Sequence, residues 1–137
     1  MPGPFRGITR KISTEAGDFA ADQRVVVSPV WNHRIGAFVC YGSVFSNFGR
    51  RLADNGAQML FNISNDGWFG RSAARRQHLE IVRMRATENR RWVLRFTNEG
   101  ITAAIDSAGV CAGRSRGAVA SGVALRCRCY GDTISLR

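Results

Sequence analysis

The stretch "GAFVCYGSVF" at residues 36–45 ends an apolar run in a cysteine and follows it at once with a turn-prone Tyr-Gly-Ser. A thiol so placed can serve as a nucleophile. A strand that turns sharply into a helix lifts its last side chain to the carboxyl edge of the sheet. The helix start then offers backbone N–H groups to a developing oxyanion. The thiolate is the reactive form, so this chemistry also needs a base. Cysteine is equally among the most buried residue types. The strand–turn–helix pattern alone leaves Cys40 open to both readings, a packed core thiol or a nucleophile.

Two further stretches bear on that choice. "NISNDGWFGRS" (62–72) sets an Asn65-Asp66-Gly67 turn before Trp68 and Phe69. Large aromatics on a loop line a pocket or fold back onto the core, and composition does not separate the two. "RMRATENRRWVLRFTNEG" (83–100) carries Glu88, positioned to pair with Arg85 or Arg91, and Asn98, positioned to cap the turn before Gly100. Both read first as structural polar groups tying a helix to strands. The four cysteines contain no C-x-x-C, "CRC" at 127–129 is too tight for a zinc pair, and His33 and His78 have no ligand-like neighbours in sequence. We read no metal site, no cofactor and no disulfide framework.

The elements that must position these residues are legible from pattern. Residues 1–23 are polar and irregular. "RVVVSPV" (24–30) reads as a strand stopped by Pro29, and "RIGAFVCY" (34–41) as a buried central strand. A helix is predicted over 43–56, with Val44, Phe48 and Leu52 on one face, and a buried strand over 57–64. Ser72 is the predicted N-cap of a helix over 73–90, whose core stripe runs through Ala74, His78, Ile81, Val82 and Met84–Arg85. Residues 91–97 and 101–107 form a hairpin about "NEG", followed by short strands at 109–113 and within 117–129. Strand-helix-strand-helix and then strands describes an α/β layered sheet in one domain. The two loops follow parallel-looking strands and so open at one carboxyl edge, which favours a site there.

The chain has 137 residues and a net charge of +10, carried by arginine except for Lys11. A basic chain raises nucleic acid or anionic lipid as a partner. The arginines are scattered from Arg6 to Arg137 rather than gathered, so no nucleic-acid partner is expected. No apolar run reaches the length of a membrane span, and the N-terminus lacks the apolar core of a signal peptide.

Taken together, "VCYGSVF" and "NISNDGWFGRSAARRQHLEIVRMRATENRRWVLRFTNEGITAAID" resemble the carbon–nitrogen hydrolase (nitrilase) superfamily, and within it the apolipoprotein N-acyltransferase branch. That branch carries "CYE", "NxSNDxWFG", "QH", "RMRAxExxR" and "TNxGIT" in this order. The resemblance covers about Ile35 to Asp106. It implies a partial αββα nitrilase-type sandwich and a Glu-Lys-Cys triad. In the family the cysteine takes an acyl chain from a phospholipid as a thioester and passes it to the N-terminal amine of a lipoprotein. By resemblance Cys40 is the nucleophile and the Tyr41 backbone N–H an oxyanion donor. Asn65, Asp66, Trp68 and Phe69 belong to the substrate pocket, and Glu88 and Asn98 support the site. The location implied is the bacterial inner membrane, with the domain on the periplasmic side.

Three departures accompany the resemblance. The family's base glutamate lies upstream of any residue here. Lys11, in "TRKIST", does not match the family lysine segment, and the glutamate two residues after the cysteine is Gly42. The expectation is therefore a C-terminal portion of such a domain, spanning 1–137, without the upstream Glu, Lys and transmembrane helices, and with no turnover when made alone. A soluble amidase of the same fold, a non-catalytic relative and an arginine-rich nucleic-acid-binding module are the alternatives weighed against it.

Overall fold

The computed structural model describes residues 25–116, 125–128 and 133–136. The polar N-terminal stretch with Lys11, and most of the strand region expected within 117–129, lie outside them.

Strand β1 (Val27–Val30) turns through Trp31 and Asn32 into β2 (His33–Val39), antiparallel to it. The strand does not stop before Pro29. Proline occupies a register position opposite Arg34, which an edge strand tolerates because the missing donor faces away from the ladder. A 3-10 turn over Cys40–Val44 leads into helix α1 (Ser46–Asp54), then β3 (Met59–Ser64). A second 3-10 turn, Asp66–Phe69, precedes helix α2 (Ala74–Asn89) and β4 (Trp92–Thr97). Antiparallel strands β5 (Ile101–Ile105) and β6 (Cys111–Arg116) complete a six-stranded sheet in sequential order. Strands β2, β3 and β4 run parallel at its centre. Strands β7 (Leu125–Arg128) and β8 (Thr133–Leu136) pair separately.

Both helices cover one face. Leu52 of α1 and Leu79, Val82 and Ala86 of α2 pack on Phe38, Leu60, Val93, Ala103 and Ile105 from four adjacent strands. These are alternate positions of each strand, as the two-residue period of a sheet requires. The buried stripe of α2 runs through His78, Leu79, Val82, Arg85 and Ala86: His78, Val82 and Arg85 fall as expected, while Ala74 and Ile81 are half-buried and Met84 is exposed. Ser72 does not flank the helix directly: Ala73 does, while the Ser72 hydroxyl accepts from Ala74 N–H at 3.4 Å and donates to the Phe69 carbonyl at 2.6 Å.

The opposite face is apolar and only partly covered. Met59, Leu94 and Ala104 are buried there beside Ile35, Phe61 and Trp92. Toward the carboxyl edge, Val39, Ile63 and Phe96 are 69%, 51% and 40% exposed. The architecture is α/β: among the described residues one helical layer covers one face of the six-stranded sheet, a partial αββα sandwich, and the other face is buried at Met59, Leu94 and Ala104 and exposed toward its carboxyl edge.

Candidate active site

Cys40 is the first residue after β2 and holds φ at 45°. A left-handed φ is uncommon for a residue with a Cβ and costs about 1–3 kcal/mol, so it persists only where the surroundings over-determine it. The same sharp strand-to-helix turn lifts nucleophiles to the top of α/β sheets in unrelated hydrolases. The Cys40 thiol is free and half-buried. The sharpness of the bend comes from the turn behind it, closed by Phe45 N–H on the Gly42 carbonyl.

Because β3 is parallel to β2, the second loop opens beside this elbow. The Asn65 side chain accepts from Gly67 N–H at 3.0 Å, a local bond that shapes the turn. That turn sends Asp66 inward. Asp66 is completely buried and does not line an open pocket, which corrects the expectation for it. Its carboxylate is saturated. One oxygen accepts from Ser64 Oγ at 2.7 Å and meets His78 Nδ1 at 3.0 Å; the other accepts from Arg95 Nη2 at 2.6 Å. Arg95, also completely buried, donates further to Asn62 Oδ1 and the Ile101 carbonyl, and Asn62 donates to the Phe38 carbonyl at 3.2 Å. On its other side His78 Nε2 lies 2.9 Å from Ser43 Oγ and 3.3 Å from the Cys40 carbonyl. One chain of buried polar groups thus joins β4, the second loop, α2 and the cysteine turn.

Rings seal this chain from above. Tyr41 stacks on His78 with centroids 5.6 Å apart, and Phe69 meets His78 edge-on at 5.8 Å and Tyr41 at 6.1 Å. Trp68 turns outward and is 87% exposed. Cys40, Tyr41, Asp66 and Phe69 are therefore gathered around one histidine. Glu88 instead pairs with Arg85 along α2 at 3.1 Å, and Asn98 accepts from Glu99 N–H at 2.8 Å in the β4–β5 turn, both local structural roles. Sequence reasoning missed His78, Arg95, Asn62, Ser43 and Ser64 as members of the site. The available signal was a run of polar residues at inward strand positions, Asn62, Ser64 and Arg95, where apolar ones belong. Among the described residues no cluster of three or more His, Cys, Asp and Glu could hold a metal ion, and no helix is long and apolar enough to cross a membrane.

The electrostatics follow from burial. For Asp66, burial pushes the carboxyl up, but the Ser64 hydroxyl, the Arg95 guanidinium and His78 outweigh it, and the net shift is below the usual carboxylate range. His78 is pushed down by burial and by Arg95, against the opposing pull of Asp66 and the Cys40 carbonyl, and so is neutral near pH 7. Burial also lowers Arg95, which Asp66 opposes. The carboxylate is the strongest acceptor near the ring, so we assign the proton to Nδ1, and Nε2 accepts from the Ser43 hydroxyl. In acid the unfolded chain takes up protons at His78 and Asp66 that the folded chain refuses. Their stabilisation is present above the ordinary histidine and carboxylate values and is lost as pH falls below them. Unfolding free energy should thus decline from pH 7 to pH 5 with a slope of at most about 1.4 kcal/mol per unit from His78. Urea titrations at several pH values check this, and a His78→Asn variant should lose that part of the slope.

A parallel-centred sheet with helices on one face and a strained cysteine elbow at its carboxyl edge defines the nitrilase type of fold. Solved structures agree: a cysteine-to-alanine mutant of the Nesterenkonia AN1 amidase from the nitrilase superfamily matches with TM-score 0.59 at 17% identity, over 72% of this chain and 39% of that one. The carbon–nitrogen hydrolase from Helicobacter pylori G27 matches with TM-score 0.63 at 14% identity, over 72% and 41%. The carbon-nitrogen hydrolase family model matches residues 2–126, and the chain belongs to that family. Among curated relatives, the apolipoprotein N-acyltransferase of Azotobacter vinelandii is 41% identical over 108 residues, and that of Geobacter metallireducens 39% identical over 99. These alignments cover 77% and 72% of this chain but only 20% and 19% of the relatives, so the chain spans about a fifth of their length.

Proposed function

We propose that this chain is the C-terminal portion of an apolipoprotein N-acyltransferase-type domain and that Cys40 is its acyl carrier. The observation that carries this reading is the left-handed cysteine at the β2 edge, held beside the Asn-Asp-Gly-Trp-Phe loop. The Cys40 thiolate attacks the ester carbonyl of a phospholipid. A C–S bond forms, the C–O bond breaks, and the lysophospholipid leaves with the proton. The N-terminal amine of a lipoprotein then attacks the thioester, forming a C–N bond and returning the thiol. The Tyr41 backbone N–H supports the oxyanion in both steps. The half-buried Phe69 and exposed Trp68 offer apolar surface to the acyl chain, with Asn65 shaping the loop between them. Sequence outside this chain supplies the base glutamate, the lysine and the membrane helices, which place the domain on the periplasmic side of the inner membrane. The apolar face that carries Met59, Leu94 and Ala104, with Val39, Ile63 and Phe96 exposed toward its carboxyl edge, is the surface on which the other half of the sandwich packs.

The test joins this chain to the upstream region of such an enzyme and supplies phospholipid. A thioester mapped to Cys40 by mass spectrometry is expected, and Cys40→Ala should abolish it. Acyl groups on Cys111, Cys127 or Cys129 with none on Cys40 would overturn the assignment. Hydrolysis of small amides without lipopeptide acylation would favour an amidase instead.

A further inference from the structure

Ser43, His78 and Asp66 stand in the spacing of a catalytic serine triad: Ser43 Oγ lies 2.9 Å from His78 Nε2, and His78 Nδ1 lies 3.0 Å from Asp66 Oδ1. The array is not a second nucleophilic centre. Ser43 is 1% exposed and its hydroxyl is turned inward onto the imidazole, so no acyl carbon reaches it. Its consequence lies in the turn to which Ser43 belongs.

The Cys40–Val44 turn must hold Cys40 at a left-handed φ, yet its middle residue is Gly42, which carries no side chain to restrict it. A Cβ at position 42 would meet only the Phe38 Cβ, at an ordinary 3.5 Å. The glycine therefore answers no steric demand, and the freedom it adds opposes the strained elbow. Tyr41 packs from one side only, 56% exposed with its ring against His78 and Phe69. Ser43 is the turn's buried residue, and its side chain is tied to a histidine whose own orientation is set by a saturated, fully buried carboxylate–guanidinium pair.

We infer that Ser43 is a positioning residue: its bond to His78, backed by Asp66 and Arg95, anchors the Gly42-loosened turn and aims the Tyr41 N–H at the acyl oxyanion. The anchor acts through the backbone. Cys40 C=O and Tyr41 N–H share one planar trans peptide and point in opposite directions. His78 Nε2 stands 3.3 Å from that carbonyl oxygen, so a rotation of the peptide that carries the oxygen inward would drive it against the ring. Ser43, two residues further on, blocks the compensating rotation of the turn.

This inference rests on Cys40 being the acyl carrier, and the experiment separates the two. The chain, joined to the same upstream region, is treated with p-nitrophenyl butyrate, which acylates through an oxyanion, and in parallel with iodoacetamide, which alkylates by displacement and uses no oxyanion donor. In Ser43→Ala, acylation of Cys40 should slow about tenfold, a fraction of the 10²–10³ cost of deleting an oxyanion donor outright, while alkylation stays within about twofold. Ser43→Thr, which keeps the hydroxyl, should restore acylation. Gly42→Ala, which stiffens the turn, should recover part of the loss when combined with Ser43→Ala. Equal slowing of acylation and alkylation in Ser43→Ala, or acylation unchanged by it, would overturn the anchor. If the parent protein alkylates but never acylates at Cys40, the acyl-carrier reading fails and the anchor with it.

Discussion

Replacing Asp66 with asparagine should destabilise the fold by about 3–5 kcal/mol, the cost of leaving one member of a buried ion pair without its counter-charge. The substitution keeps the size of the side chain, removes the charge and turns one acceptor oxygen into an NH2 donor. Arg95, with no exposed surface, then holds a cation whose remaining partners are neutral: the Asn62 amide, the Ile101 carbonyl and the His78 ring, 3.2 Å from Nη2. The single amide oxygen of the substituted side chain serves either Arg95 or the shared site of His78 Nδ1 and Ser64, and the NH2 group faces a donor on the other side. The effect therefore reaches the cysteine turn as well as the core. An Asp66→Asn/Arg95→Met pair should be less damaging than the sum of the single changes, because it removes both charges and leaves only neutral groups to satisfy. Urea unfolding followed by circular dichroism measures all three variants. A loss below about 1 kcal/mol for Asp66→Asn, or strict additivity in the double variant, would mean that water reaches the pair and that it does not organise the site.

How far the site was visible in the sequence depends on which physical signal each residue left. The position of Cys40 at a strand end was visible because a strand ending in a turn is a local pattern, and the adjoining loop motif made it the candidate nucleophile. The parallel β2–β3–β4 centre and the β4–β5 hairpin were visible through their apolar runs and the turn at "NEG". The role of Asp66 was misread. An aspartate in an Asn-Asp-Gly turn is ordinarily solvated, and its burial depends on Arg95, 29 residues away on another strand. His78 fell on the expected helical stripe, but a stripe says only that a residue faces inward, not that it will meet a carboxylate on one side and a serine on the other. Long-range polar pairing leaves no periodicity behind. What it does leave is a polar residue where the strand pattern demands an apolar one, and Arg95 between Leu94 and Phe96 was that signal.

The glycine of "TNEGIT" carries more than the turn that its neighbours suggest, and this yields the second large effect. Gly100 is buried at the start of β5, directly over Asp66. A Cβ built there falls 2.1 Å from Asp66 Oδ2, 2.7 Å from Cγ and 2.8 Å from Cβ, all inside the distance at which something must move. Asp66 has nowhere to go, since both of its oxygens are engaged by Ser64, His78 and Arg95. The hairpin is no freer: Thr97 N–H donates to Thr102 Oγ1 at 3.1 Å across the same turn. Gly100→Ala should thus break either the ion pair or the hairpin, at a cost of about 3 kcal/mol or more, in the range of lost buried-pair and overpacking penalties. The adjacent Glu99→Ala, which removes an exposed ion pair with Arg75, should cost no more than about 1 kcal/mol. The contrast between neighbouring positions makes the test independent of general damage to the turn. Should Gly100→Ala unfold in urea within about 1 kcal/mol of the parent chain, the hairpin must shift away freely. The close approach of the two loop motifs would then not be what fixes the buried carboxylate beneath Cys40.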